Sequence, residues 1–286
     1  MQVFQPMETS DSASHSEGLT EGLTIEQAIA NLNQRDDLSL RYYAAWWLGK
    51  LRVREPEAID ALLDALTDEE DRAPDGGFPL RRNAARALGK LGDRRAVPAL
   101  IEALSCDDFH VREAAAQALE GLKDPRCIPA LVALLSEEAA QEPDHATSLP
   151  QPYDSILEAL GTLGATDAIA VIEPFLSHAI PRVQYSAARA LYQLTQNPLY
   201  GERLVEALQG NDLQLRRSAL MDLGASGYVA AAEAIAQTLA ENSLKLIALK
   251  GLLDYQLQQD NPELGADTLH LSAPSTQLMA LMDSLL

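Results

Sequence analysis

Chemistry in this sequence concentrates in side-chain pairs spaced four residues apart. In chain order they are Tyr42 with Trp46, Arg82 with Arg86, Glu113 with Gln117, Asp154 with Glu158, Tyr185 with Arg189, and Arg217 with Met221. An i, i+4 pair lies on one face of a helix. Two aromatics can stack on a flat apolar ligand or partner. Two arginines can grip a pair of carboxylates through charge-assisted bonds. The acids Glu113, Asp154 and Glu158 can accept hydrogen bonds from N–H donors. Each has a plainer alternative: the arginines neutralise neighbouring acids, and the acids belong to solvated surface.

Trp46 and Trp47 differ in what their slots hold elsewhere. The Trp46 slot is Arg86, Gln117, Glu158 and Arg189 in other copies of the pattern described below, so an indole there is expected to be exposed for a ligand or partner. The Trp47 slot is Ala87, Ala118, Ala159 and Ala190. Trp47 joins the candidate contacts, with packing at the end of a stack as its competing role.

The elements that position these pairs are read from a repeat. LRYYAAWWLGKL begins at Leu40, LRRNAARALGKL at Leu80 and VREAAAQALEGL at Val111, with weaker copies from Pro152, Val183, Leu215 and Leu244. A unit of about 31 residues, with insertions around Asp71–Phe78 and Gln141–Pro150, explains the spacing. The first, fifth, sixth, ninth and twelfth slots form the expected core stripe, including Leu40, Ala44, Leu48 and Leu51. A first helix precedes each copy, as in EAIDALLDAL from Glu57 and AVPALIEAL from Ala96; Pro98 and Pro129 sit near helix starts, and Gly92–Asp93 and Lys123–Asp124 read as caps. One such pair cannot bury both apolar faces, whereas a stack does and curves into a superhelix. The fold expected is all-α, a HEAT-like solenoid of about six to seven helical pairs over residues 21–259. A disordered tail is expected over 1–20, and an extension with a terminal helix over 260–286. In this class the second helices usually line the inner curve, which makes the side-chain pairs a ladder across it.

Composition narrows the function. Net charge is −20 over 286 residues, which disfavours nucleic acid and anionic membrane surfaces as main partners. Half of the 22 basic residues nevertheless fall between Arg41 and Arg95. They are either ordinary solvated faces or a local site for an anionic ligand. Cys106 and Cys127 make no disulfide framework and no metal set, in keeping with a reducing compartment. Neither a secretory leader nor an 18-residue apolar run is apparent, so a cytoplasmic protein without a membrane span is expected.

Several chemistries are disfavoured. The Gly-Lys pairs at Gly49 and Gly89 lack the glycine spacing and following hydroxyl of a phosphate loop. His15, His110, His145, His178 and His270 are scattered and none precedes a glutamate, so no metal site is expected. Cys106 and Cys127 read as small hydrophobes. The residues alone lead to a binding scaffold for an anionic, partly aromatic ligand or for a protein.

The string LRYYAAWWLGKLRVREPEAID, followed by GGFPLRRNAARALGKLGDRRAVPALIEAL and CDDFHVREAAAQALEGL, resembles the E subunits of the E/F-type phycobilin lyases of cyanobacteria. The resemblance runs from about Leu23 to Leu252, and YYAAWWLG is its specific part. It implies a lyase subunit active as a heterodimer with an F-type subunit. The pair would deliver phycocyanobilin, as substrate and not as prosthetic group, to a cysteine of the apo-phycocyanin α subunit as a thioether. On that reading Tyr42, Trp46 and Trp47 stack on bilin rings, Arg82 and Arg86 hold the propionates, and Glu113 contacts the bilin. Asp154 or Glu158 would favour its protonated form. A non-catalytic scaffold for phycobiliprotein assembly, or a lyase/isomerase subunit for phycoerythrocyanin α, are the alternatives.

Overall fold

The computed structural model describes residues 23–139, 151–261 and 270–286. The tail expected over 1–20 and the insertion over 141–150 lie outside the described residues. Among those described, every regular element is helical. Seven helical pairs follow one another: α1 (Ile25–Asn33) with α2 (Leu38–Leu51), α3 (Pro56–Leu66) with α4 (Pro79–Leu91), α5 (Val97–Ala103) with α6 (Phe109–Leu122), and α7 (Ile128–Ala139) with α8 (Tyr153–Thr162). They continue with α9 (Ile169–Ile172, prolonged by a 3₁₀ turn) and α10 (Pro181–Thr195), α11 (Pro198–Ala207) and α12 (Leu213–Ser226), and α13 (Ala232–Gln237) and α14 (Asn242–Asp260). A last helix, α15 (Ala273–Asp283), packs on α13 and α14. No described helix is long and apolar enough to cross a membrane.

Local signals explain the boundaries. Asp37, Asp108 and Asp212 cap α2, α6 and α12 by accepting backbone N–H groups of the first turn. Pro79 and Pro181 open α4 and α10, where a missing N–H costs nothing. The expected caps are in place: Gly92 ends α4 with φ 78°, Lys123 ends α6 with φ 50°, and Asp93 and Asp124 start the next turns.

The second helices pack on one another more extensively than the first helices do. The closer layer is the inner side of a curved stack, which puts the ladder of side-chain pairs on that side. Close approach is set by a glycine facing an alanine. A Cβ on Gly49 would lie 2.7 Å from the Ala87 Cα, one on Gly89 2.8 Å from the Ala118 Cα, and one on Gly161 2.6 Å from the Ala190 Cα. Alanine in the eighth slot and glycine in the tenth thus bring neighbouring second helices to near backbone contact.

The second slot has a structural task. Arg41 Nε donates to the Leu32 carbonyl at 3.0 Å, Arg112 to Cys106 O at 2.6 Å, Arg216 to Gly210 O at 2.6 Å and Lys245 to Ala236 O at 3.1 Å. Arg81 reaches the carbonyls of Thr67 and Asp68, and Gln184 that of His178. Each ties its second helix to carbonyls at or just beyond the end of the first, where helical carbonyls lack partners. Part of the basic concentration between Arg41 and Arg95 is therefore scaffold.

The core stripe holds inside the stack and fails at its start. Leu80, Ala84 and Leu88 are fully buried, whereas Leu40 is 41 % exposed and Leu51 57 %. Later copies of these slots are covered by the preceding repeat. No repeat precedes α2 among the described residues, so Leu40 and Leu51 are not core residues.

Candidate functional site

The inner layer carries two stations. The first lies on α2, α4 and the start of α6. Tyr42 and Trp46 are both exposed, Trp46 by 45 %, and the indole sits 5.5 Å from the Tyr43 ring. Trp47 is partly buried against the core, which is the end-of-stack packing that its alanine slot foretold. A direct ligand contact from Trp47 has less surface to use than one from Trp46. Arg86 is exposed, with its Nη2 4.0 Å from Glu113 Oε2. Glu113 also faces His110 Nδ1 at 3.5 Å. Arg82 turns toward a cavity of about 470 Å³ that it lines with Arg72, Phe78 and His110. Its Nε has no partner among the described residues. The ladder order, aromatic then arginine then acid, is thus present in space. The two arginines point to different surroundings, however, and Arg86 is already shared with Glu113.

The second station is an ion network across α6, α8, α10 and α12. Arg182 pairs with Asp154 at 3.5 Å, with Glu158, and with Asp222 at 2.9 Å. Arg189 pairs with Glu120 at 2.6 Å, Glu158 at 2.9 Å and Asp222 at 3.6 Å. Ser186 Oγ donates to Glu158 Oε1 at 2.9 Å, and Thr162 Oγ1 to Glu120 Oε1 at 2.7 Å. Four carboxylates therefore meet two guanidinium groups. Burial pushes Glu158 up to about 7, reinforced by Asp222 and Glu120 and opposed by Arg189 and Arg182. Burial likewise raises Asp222, which is only 1 % exposed at its side chain. This crowding of acids keeps a proton on the Glu158–Asp222 pair at pH values where a solvated carboxylate has lost it.

Asp154 and Glu158 are therefore not plain solvated surface: Asp154 pairs with Arg182, and Glu158 with both Arg182 and Arg189. The acid that sequence reasoning missed is Glu120. Its column gives no clear signal: the tenth slot is Gly49, Gly89, Gly161 and Gly224 in four copies, but Tyr192 and Leu253 in two others. Glu120, Thr162 and Arg189 line a trough of about 560 Å³ with Lys123, Gln193 and Tyr255. Among the described residues no cluster of His, Cys, Asp and Glu is arranged to hold a metal ion.

Comparison with known proteins gives this inner face a context. The PBS lyase HEAT-like repeat matches residues 40–68 and 183–210, and the general HEAT repeat matches 75–148. A phycocyanobilin lyase subunit alpha from Microchaete diplosiphon is 63 % identical over 274 residues, covering 92 % of this chain and 90 % of the relative. The chain belongs to the phycocyanobilin lyase alpha-subunit family. Another family member, from Nostoc sp., is 62 % identical over 266 residues, covering 92 % of this chain and 94 % of the relative. The bilin biosynthesis protein PecE of Mastigocladus laminosus stands further off, at 47 % over 243 residues, with 85 % of this chain and 86 % of the relative covered. The solved complex of CpcE and CpcF of phycocyanin lyase from Nostoc sp. PCC7120 matches with a TM-score of 0.83 and 58 % identity, over 98 % of this chain and 100 % of the matched one. The stacked helical pairs described above are therefore the architecture of this lyase subunit family.

Proposed function

We propose that this chain is the E-type subunit of a heterodimeric bilin lyase, which with an F-type partner attaches phycocyanobilin to a cysteine of the phycocyanin α subunit. The observation that carries this reading is the near full-length match, at 63 % identity, to a phycocyanobilin lyase subunit alpha. The lower identity to PecE favours phycocyanin over phycoerythrocyanin as acceptor. The cyanobacterial relatives go with a cytoplasmic site of action. Phycocyanobilin is the substrate, and no resident prosthetic group is called for.

The chemistry asks little of this chain beyond placement. The acceptor thiolate adds to the exocyclic ethylidene carbon of ring A and forms the C–S bond. The displaced π pair takes up a proton within the bilin, with no leaving group and no oxidant. Catalysis is then mainly orientation and charge stabilisation. On this reading Tyr42 and Trp46 stack on a ring, which their exposure supports. Arg86, and Arg82 from its cavity, receive the propionates, with Glu113 beside Arg86. Mass analysis of the α subunit tests the function. After incubation with this chain, its partner and phycocyanobilin, one cysteine peptide should gain the mass of one bilin. An unmodified peptide sinks the reading.

A further inference from the structure

We propose that Glu120 is the carboxylate that accepts the pyrrole N–H groups of the bound bilin, with Thr162 and Arg189 as its positioning residues. The inference rests on the bilin-lyase reading above and adds a residue and a seat to it.

In α2, α4, α8 and α12 the tenth position is a glycine pressed against the next second helix; α6 and α10 pack more loosely on their successors and carry Glu120 and Tyr192 there. At Glu120 a long, charged side chain stands at the C-terminal end of α6. A free carboxylate near a helix C-terminus is opposed by the helix dipole. The surroundings compensate: Oε1 accepts from Thr162 Oγ1 at 2.7 Å and from Arg189 Nη2 at 2.6 Å. These residues come from α8 and α10, so three successive inner helices converge on one oxygen. Oε2 has no partner among the described residues, and the side chain keeps 21 % of its surface. The geometry holds one oxygen fixed in a side chain that lines the trough.

The trough suits a flat molecule rich in N–H groups. Gly161, Gly224 and Gly251 form part of its lining, and a Cβ at any of them would run into the neighbouring helix. Its volume, about 560 Å³, is that of a small-molecule site. Behind the trough the network carries more carboxylates than guanidinium groups, so a protonated bilin is favoured over a neutral one. The other acids of the ladder do not line this trough: Glu158 is engaged by both Arg182 and Arg189, Asp154 faces Arg182, and Glu113 lies between Arg86 and His110. Arg86 and Glu120 lie on the adjacent helices α4 and α6, with the Arg86 guanidinium group against Glu113, about two turns before Glu120. On this proposal one bilin runs between them, with its propionates at Arg86 and its pyrrole nitrogens at Glu120.

The test uses the heterodimer with its partner and titrates phycocyanobilin by visible absorbance. Glu120→Gln keeps the shape and one acceptor oxygen but removes the charge. It should weaken binding at least tenfold and shift the bound band toward that of the unprotonated bilin. Thr162→Val leaves the carboxylate but unpins it, and should weaken binding severalfold with a smaller shift in the same direction. Glu57→Gln, an exposed change on α3 in the outer layer, should match the unaltered protein. If both inner variants bind and absorb like the unaltered protein, the inference is wrong. If Glu120→Gln does not fold, Thr162→Val decides alone, and unchanged binding overturns the proposal. Failure of the unaltered heterodimer to form any covalent adduct would instead strike at the lyase reading. Adduct formation with an indifferent Glu120→Gln strikes only at this residue.

Discussion

Arg189 on α10 reaches across α8 to Glu120 on α6, closing a 2.6 Å ion pair between residues 69 positions apart. The same guanidinium group contacts Glu158 on α8 and Asp222 on α12. One side chain thus ties four consecutive inner helices together, and it does so with its own side chain only 8 % exposed.

Removing that tie should be costly. Arg189→Ala leaves Glu120, Glu158 and Asp222 without their shared cation, and breaking one side of a buried ion pair costs about 3–5 kcal/mol. Urea unfolding should show the midpoint falling accordingly. A loss below about 1 kcal/mol would mean that the network is solvated and not structural.

The acid crowding predicts an unusual pH dependence. Glu158 has an ordinary value of 4.5 and is pushed up to about 7 in the folded chain, so the native state holds its proton longer than the unfolded one. Its contribution to stability is complete below about 4.5 and is lost as pH rises through about 7. Carboxylates with depressed values, such as Asp68 and Asp124, act oppositely at lower pH and are fully ionised in this window. The urea midpoint should therefore fall between pH 5 and 8, and Glu158→Gln should flatten that fall. Parallel profiles for the two proteins would remove the assigned proton.

Trp46 and Leu48, two residues apart, allow the proposed bilin contact to be tested apart from the scaffold. Leu48 is fully buried and Trp46 is exposed. Leu48→Ala should cost about 2–5 kcal/mol. Trp46→Ala should change stability by no more than about 0.5 kcal/mol, as exposed substitutions do, while weakening bilin binding by the heterodimer. Normal phycocyanobilin binding by Trp46→Ala would remove the aromatic contact from the account.

Arg52 closes α2 in the left-handed region with φ 56°, where Gly92 closes α4. Arg52→Gly should stabilise the chain by about 1 kcal/mol, since a side chain in that conformation is strained. Unchanged or lower thermal stability would show that the Arg52 side chain contributes more than its strain costs.

The sequence made the stack legible because a repeated slot is sampled several times: Leu80, Ala84 and Leu88 recur as Val111, Ala115 and Leu119, and all are buried. The same logic fails where a slot has no neighbour. Leu40 and Leu51 carry core residue types, but no preceding repeat among the described residues covers them. The ladder was also only partly legible. Trp46 stood out as an odd residue in a polar column, and it is exposed. Asp154 and Glu158 matched their column and gave no sign that Arg182, one position outside the aligned string, would occupy them. Glu120 did not stand out in its column, which also holds Tyr192 and Leu253, and its partners Thr162 and Arg189 come from other repeats. Only three-dimensional stacking brings them within hydrogen-bonding distance.

The most direct test of the lyase reading is an omission series. Apo-phycocyanin α, phycocyanobilin and the F-type partner are co-expressed with and without this chain, and the α subunit is denatured before its absorbance is read. Bilin colour that survives denaturation only when this chain is present is the predicted result. Colour that washes out on denaturation, or that forms equally without the chain, would contradict it.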